Sequence, residues 1–343
     1  MSRWHNKVKQ LKFAVYCFQK GKDAGFVKRV EALENENNLV TIEKMQGDKK
    51  EDIIYYIDMD NLNSGFFAVY NKLLTLLYFA DYYGLKPVVR YGEGFYYAEQ
   101  HPVNGTENPF EYYFEQPLGI ALADIQKYQC VLKQRKENSN LANLLNENSN
   151  GYSRSEQFLN EMARISGKYI RLNPVIAKQI SEETEPIRKR GTLGVHVRGT
   201  DFKKNYNGHP VQVETMEYLQ EAEKVFRTGK YEQVFLATDD LEAIELFKRQ
   251  FGDRLYYYKD VIRSSGDDTV MHSKGEREDH HYLLGVEVLR DMHALAACEG
   301  LIAGLSQVSY AAQIQKKSTG KEYHDLVIIN KGINYHQKEN CPG

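Results

Sequence analysis

Thr192-Leu193-Gly194-Val195-His196-Val197-Arg198-Gly199-Thr200-Asp201 is an apolar run that turns polar where it ends. An unbroken apolar stretch of roughly four to eight residues, closed by glycine and charge, is the pattern of a strand buried on both faces, as in a parallel sheet. His196 stands inside this strand and Arg198 just beyond it, at the edge where open α/β sheets bind ligands. A buried charge that loses its partner costs about 3–5 kcal/mol, so Arg198 must meet an anion. Two partners satisfy it. One is Asp201, in an internal ion pair; the other is a bound diphosphate, which suits a planar, permanently charged guanidinium that donates two parallel bonds.

Outward from this strand toward the C-terminus, strand and helix patterns alternate regularly. A helix near Thr215 to Phe226 precedes a strand at Gln233 to Ala237, a helix at Leu241 to Gln250 and a strand at Arg254 to Tyr258. A helix at Tyr282 to Cys298, a strand at Gly300 to Ala303, a helix opening near Ser306 and a strand at Leu326 to Ile329 follow. Toward the N-terminus, Ser181 to Arg190 is polar and highly charged and contains Pro186. It marks a domain boundary, with residues 1–185 as an N-terminal, acceptor-side α/β domain and residues 186–343 as a nucleotide-sugar-binding α/β domain. Within the first, apolar runs at Asp52 to Ile57 and Lys86 to Arg90 flank helical spacing from Gly65 to Tyr83, which is a βαβ unit. Lys12 to Cys17 alternates like a short strand, and the Asn- and Ser-rich stretch Asn138 to Gly151 is a surface connection. The expected fold class is α/β, two Rossmann-like domains facing a cleft.

Composition narrows the function. Lys plus Arg total 45 against 47 for Asp plus Glu, so the chain lacks the positive excess of a nucleic-acid binder, and any anion must be gripped locally. Cys17, Cys130, Cys298 and Cys341 are far apart and form no C-x-x-C pair, which fits reduced thiols. Met1 to Gln10 leads into no apolar run that could be a signal peptide or membrane span, so a cytoplasmic protein is expected. Asn104-Gly105-Thr106 matches a glycosylation acceptor and is taken as an exposed turn.

Two further constellations end at the same kind of sheet edge. In Phe235-Leu236-Ala237-Thr238-Asp239-Asp240, one of the acids can cap the next helix, while strand-end carboxylates also suit ribose hydroxyls. In Asp291-Met292-His293, followed by Leu301-Ile302-Ala303-Gly304 and Leu305-Ser306-Gln307-Val308, a helix beginning near Ser306 points backbone amides and a positive dipole end at the edge. Ser306 is equally an ordinary N-cap, and His293 an ordinary core histidine.

His196-Val197-Arg198-Gly199-Thr200-Asp201, Ala237-Thr238-Asp239-Asp240, Asp291-Met292-His293 and Ser306-Gln307-Val308, in this order, resemble the three motifs of the α-1,6-/protein-O-fucosyltransferase superfamily. That group includes core α-1,6-fucosyltransferases of N-glycans and rhizobial nodulation fucosyltransferases. The resemblance runs from about Gly191 to Gln315; before it, Asn63-Ser64-Gly65 and the following helix resemble the family's N-terminal glycine loop. It implies a GT-B-type fold, GDP-fucose as donor, an inverting displacement onto a glycan hydroxyl, and no catalytic metal or cofactor, the GDP-sugar being a co-substrate. By the same carry-over Arg198 binds the β-phosphate, Asp291 accepts the guanine edge hydrogens, Ser306 or Gln307 holds the phosphates, and Asp239 and Asp240 line the nucleotide side. Gly65, His196, Thr200 and Thr238 complete the expected donor site, and Asp201 and His209 join Arg198 as catalytic candidates.

The chain departs from the family in two places. Gly199 stands where core fucosyltransferases carry a second Arg, and Phe202 to Val213 holds no carboxylate in place of the Glu that is their candidate base. His209 is the nearest replacement by type, because an imidazole with a pKa near ~6.5 can take a hydroxyl's proton. Asp279, His280 and His281 cluster without a convincing set of metal ligands. Asp58-Met59-Asp60 resembles the D-x-D signature with which another glycosyltransferase fold holds a divalent ion, and Gly92-Glu93-Gly94 falls short of a dinucleotide fingerprint. Phe95-Tyr96-Tyr97 and Phe110-Glu111-Tyr112-Tyr113-Phe114 suit either sugar stacking or core packing. The alternatives to a fucosyltransferase are the same fold with another nucleotide sugar, such as a GDP-mannose derivative, and a non-catalytic nucleotide- or glycan-binding protein.

Overall fold

A computed structural model of the chain describes residues 40–60, 62–92, 94–134, 152, 154–198, 207–263, 275 and 277–335. The strand expected at Lys12 to Cys17, the connection Asn138 to Gly151, and Cys17 and Cys341 lie outside the described residues. The described residues group into two compact units. The first holds those from 40 to 134, apart from Gly65–Ala68, together with Arg164–Asn173; the second holds Gly65–Ala68, residues 152–163 and the chain from Pro174 onward.

Among its described residues the first unit has a four-stranded sheet of β1 (Val40–Lys44), β2 (Lys49–Met59), β3 (Lys86–Tyr91) and β4 (Tyr128–Gln134), in the order β1-β4-β2-β3. β2 is parallel to both β3 and β4, and β1 runs antiparallel to β4. Helix α1 (Phe66–Tyr82) joins β2 to β3, as the βαβ pattern requires. Its Leu73, Leu74, Leu77 and Ala80 are buried, as are Ile54 and Ile57 of β2 and Val88 and Val89 of β3. Strands β1 and β4 carry no clear sequence signal. The apolar part of β4 is only Cys130 to Leu132 between Gln129 and Lys133, and its place beside β2 is set by long-range pairing. The aromatic stretches are core: Phe95, Tyr97, Phe110, Tyr112, Tyr113 and Phe114 are all buried.

Helices α2 (Glu156–Tyr169), α3 (Pro174–Glu183) and the single turn α4 (Glu185–Arg188) come next. The stretch from Ser181 to Arg190 is thus largely helical, and α3 already belongs to the second unit. Its charges sit on one side while Ile180, Thr184 and Ile187 turn inward, which gives a polar composition to a packed element.

Among its described residues the second unit has five parallel strands: β5 (Thr192–Val197), β6 (Gln233–Thr238), β7 (Leu255–Tyr256), β8 (Gly300–Gly304) and β9 (Asp325–Ile329). Helices α5 (Thr215–Phe226), α6 (Leu241–Phe251), α7 (His280–Ala297) and α8 (Gln307–Ser318) alternate with them. The order is β7-β6-β5-β8-β9. The chain moves outward from β5 to β7, then returns to lay β8 against the other side of β5. The switch point of the topology therefore falls between β5 and β8, which is where open sheets of this kind form a binding crevice. Every residue of β5, β6 and β8 is buried, as their continuous apolar runs require. Among the described residues no helix is long and apolar enough to cross a membrane.

Candidate functional site

The register of the second sheet brings the motif ends level. His196 pairs with Ala303 on one side and Ala237 on the other, and Val197 pairs with Thr238. Arg198, Gly304 and the Thr238 corner therefore leave three adjacent strands at one edge. His196 is buried and its Nδ1 lies 3.4 Å from Ser306 Oγ, a contact that spans the switch point. Arg198, the next residue but one, is half-buried there. Gly199, Thr200 and Asp201 lie outside the described residues.

Ser306 is the N-cap of α8. Its Oγ accepts from the Ser309 amide at 3.0 Å, and Ser309 Oγ accepts in turn from the Ser306 amide at 3.2 Å. The Tyr310 amide donates to the Ser306 carbonyl. These bonds fix the first turn of α8, whose backbone amides form the positive end of the helix dipole. The hydroxyl of Ser306 thus does structural work as the N-cap of α8.

The β6 corner divides its labour similarly. Asp240 caps α6, accepting from the Glu242 amide at 2.8 Å, and Thr238 Oγ1 accepts from the Asp240 amide at 3.1 Å. Of the two acids, Asp240 is the buried capping residue and Asp239 the half-buried one. Arg263, which sequence reasoning missed, reaches this corner from the loop after β7. Its Nε donates to the Thr238 carbonyl at 3.1 Å, while its terminal nitrogens donate to the carbonyls of Tyr258 and Val261 at 2.6 and 3.0 Å.

Asp291, on α7, is placed beside this guanidinium. Burial pushes its carboxyl up to about 7, against the pull of the Arg290 and Arg263 charges and with the help of Glu287 and Asp260. Its neighbours are firmly held. Arg290 forms a bidentate pair with Asp260 at 2.8 and 2.9 Å, bonds Glu183 at 3.1 Å and lies over the Tyr258 ring at 4.1 Å. Glu287 accepts from Arg277 and from the Ile262 amide, at 2.5 and 3.2 Å. The loop after β7 is thereby clasped to α7 at Glu287 and Arg290, in the turn that precedes Asp291. Burial pushes the pKa of His293 down to about 4.

His209 is pinned by backbone bonds between its loop and residues 332–334, with Gly208 donating to Asn334, Asn334 to His209 and Val211 to Gly332. Its Nδ1 lies 3.4 Å from the Tyr152 hydroxyl, and the Tyr152 carbonyl accepts from the Tyr310 hydroxyl in the first turn of α8. The candidate base is thus tied to the helix that opens at the switch point. Gly65 stands immediately before α1, and a Cβ there would meet nothing within 4 Å, so packing does not explain the glycine.

The D-x-D-like pair belongs to a different edge. Arg90 Nη1 donates to Asp58 at 2.8 Å and to Asp60 at 3.3 Å, at the ends of β2 and β3. Gly92 makes this possible, because a Cβ there would stand 1.7 Å from Asp60 Oδ1. His280 Nδ1 accepts from Arg277 Nε at 3.1 Å, and among the described residues no group of three or more His, Cys, Asp or Glu is placed to hold a metal ion.

No protein-family model matches the chain, and no curated protein matches it in sequence. Among solved structures it is similar to NodZ α-1,6-fucosyltransferase soaked with GDP-fucose, at 16% identity and a TM-score of 0.45 over 77% of this chain and 93% of that one. It is also similar to POFUT1 in complex with GDP, at 12% identity and a TM-score of 0.45 over 80% and 97%. A third is the fucosyltransferase NodZ from Bradyrhizobium, at 16% identity and 0.43 over 77% and 93%.

Proposed function

We propose that the second unit binds the GDP moiety of a nucleotide sugar and that the chain is an inverting glycosyltransferase, with GDP-fucose as its donor and a glycan hydroxyl as acceptor. The observation that carries this reading is the switch point itself: Arg198 leaves β5 and α8 opens after β8 on adjacent strands, joined by the His196–Ser306 contact. A guanidinium and a helix N-terminus together supply the charge and the directed N–H groups that a diphosphate needs. Asp291, beside the β6 corner, is the group suited to accept the guanine edge hydrogens.

In the proposed step the acceptor oxygen attacks the anomeric carbon as the bond from that carbon to the β-phosphate oxygen breaks, its electron pair leaving with GDP. Arg198 and the α8 amides stabilise the charge that develops on the leaving phosphate, and His209 takes the acceptor's proton. No cofactor enters. Nor does this reading assign a divalent cation to the diphosphate, whose charge Arg198 and the α8 amides meet; the acids that resemble a cation motif share the one guanidinium of Arg90.

The test is turnover of a donor panel of GDP-fucose, GDP-mannose and UDP-glucose, followed by mass spectrometry with and without EDTA. Consumption of GDP-fucose that EDTA leaves unchanged is the expected result. Turnover of UDP-glucose alone, or an absolute need for manganese, would overturn it.

A further inference from the structure

Tyr218 sits in the first turn of α5, on the apolar face formed with Leu219, Ala222 and Val225. The residue is 3% exposed and packs in the core with Val197, Val213 and Ile302. By sequence pattern it is a core residue and nothing more. The position of its oxygen is what sets it apart. A Cβ built on Gly304 would stand 2.4 Å from Tyr218 Oη, so the phenol oxygen rests against the last residue of β8. Gly304 follows Ala303, which pairs with His196, so the oxygen lies at the sheet edge that Arg198 leaves and two residues before Ser306. The Arg198 charge acts on the phenol, opposing the burial that holds its pKa well above the ordinary tyrosine range. The hydroxyl therefore keeps its proton at every working pH and is a permanent donor.

We propose that the Tyr218 hydroxyl is a third donor of the anion site, bonding the diphosphate that Arg198 and α8 hold, and that residue 304 is glycine to admit it. This rests on the nucleotide reading above. The geometry supports it in two ways. A ring fixed by core packing delivers its hydroxyl with little entropy left to lose on binding. A hydroxyl beside the Arg198 charge is also placed to donate to an arriving phosphate oxygen.

Calorimetric titration of GDP and of guanosine into the wild type, Tyr218→Phe and Gly304→Ala tests this. Tyr218→Phe keeps the ring, and its melting temperature checks that the fold survives. Both variants are expected to lose about tenfold in GDP affinity with guanosine binding unchanged, the scale of one hydrogen bond to a charged group. A core role alone would lower the melting temperature and leave the preference for GDP over guanosine intact. If the wild type prefers GDP and Tyr218→Phe prefers it equally, the inference is wrong and the nucleotide reading stands. If the wild type does not bind GDP, both fall.

Discussion

Asp291 is the residue whose chemistry makes the sharpest demand on conditions. In the proposed role it must be ionised to accept two hydrogens from a guanine edge, yet in the free protein burial holds its pKa at about 7. Below that value the free site carries a proton that GDP must displace. GDP affinity should therefore rise with pH up to about 7 and level off above it, with proton release on binding that is largest below pH 7. Calorimetry in buffers of different ionisation enthalpy measures both quantities. Asp291→Asn should weaken binding and flatten the pH dependence together; a flat profile in the wild type would remove Asp291 from base recognition. Arg198 makes the complementary demand on catalysis. Arg198→Ala should lower donor turnover by about 10²–10³-fold, the scale of losing one preorganised donor to a developing anion, with the melting temperature little changed. Full turnover in that variant would exclude the role assigned to it.

At the scale of elements, the corners of the second sheet separate capping from binding. Asp240 is legible in the sequence as one of two acids before a helix, and the structure gives it the N-cap of α6. Asp240→Ala should cost about 1 kcal/mol of unfolding free energy, and Asp240→Asn should recover most of it, because Asn caps as well as Asp. Equal loss in both variants would show that charge, not capping, is what matters there. The strands of this unit could be read from sequence because each is an unbroken apolar run closed by glycine or charge, and β5, β6 and β8 fall within a residue of expectation. Strand β7, expected from Arg254 to Tyr258, is only Leu255–Tyr256, since the aromatic run that suggested it continues as the loop clasped to α7. In the first unit β4 was hidden, because a three-residue apolar core between polar neighbours does not announce a central strand. Tyr218 and Arg263 were hidden for another reason. One lies on a helix face that is apolar by pattern and the other in a loop without a local signature, and only tertiary placement brings their polar atoms to the sheet edge.

For the whole molecule, near-balanced charge and the proposed, locally built anion site belong together. With 45 basic against 47 acidic residues the chain offers no general attraction to polyanions, so recognition has to come from a few directed groups at one edge. The two acidic clusters that could suggest a cation, Asp58 with Asp60 and Asp279 with its histidines, sit where arginines already bond an acid or a histidine of the cluster, Arg90 in the first unit and Arg277 in the second. The measurement that tests the central claim most directly is a crystal structure of the protein with GDP, grown in EDTA. The β-phosphate should lie within hydrogen-bond reach of the Arg198 guanidinium and of the Gln307 and Val308 amides at the end of β8. A nucleotide bound elsewhere, or Arg198 turned away from it, would contradict the claim.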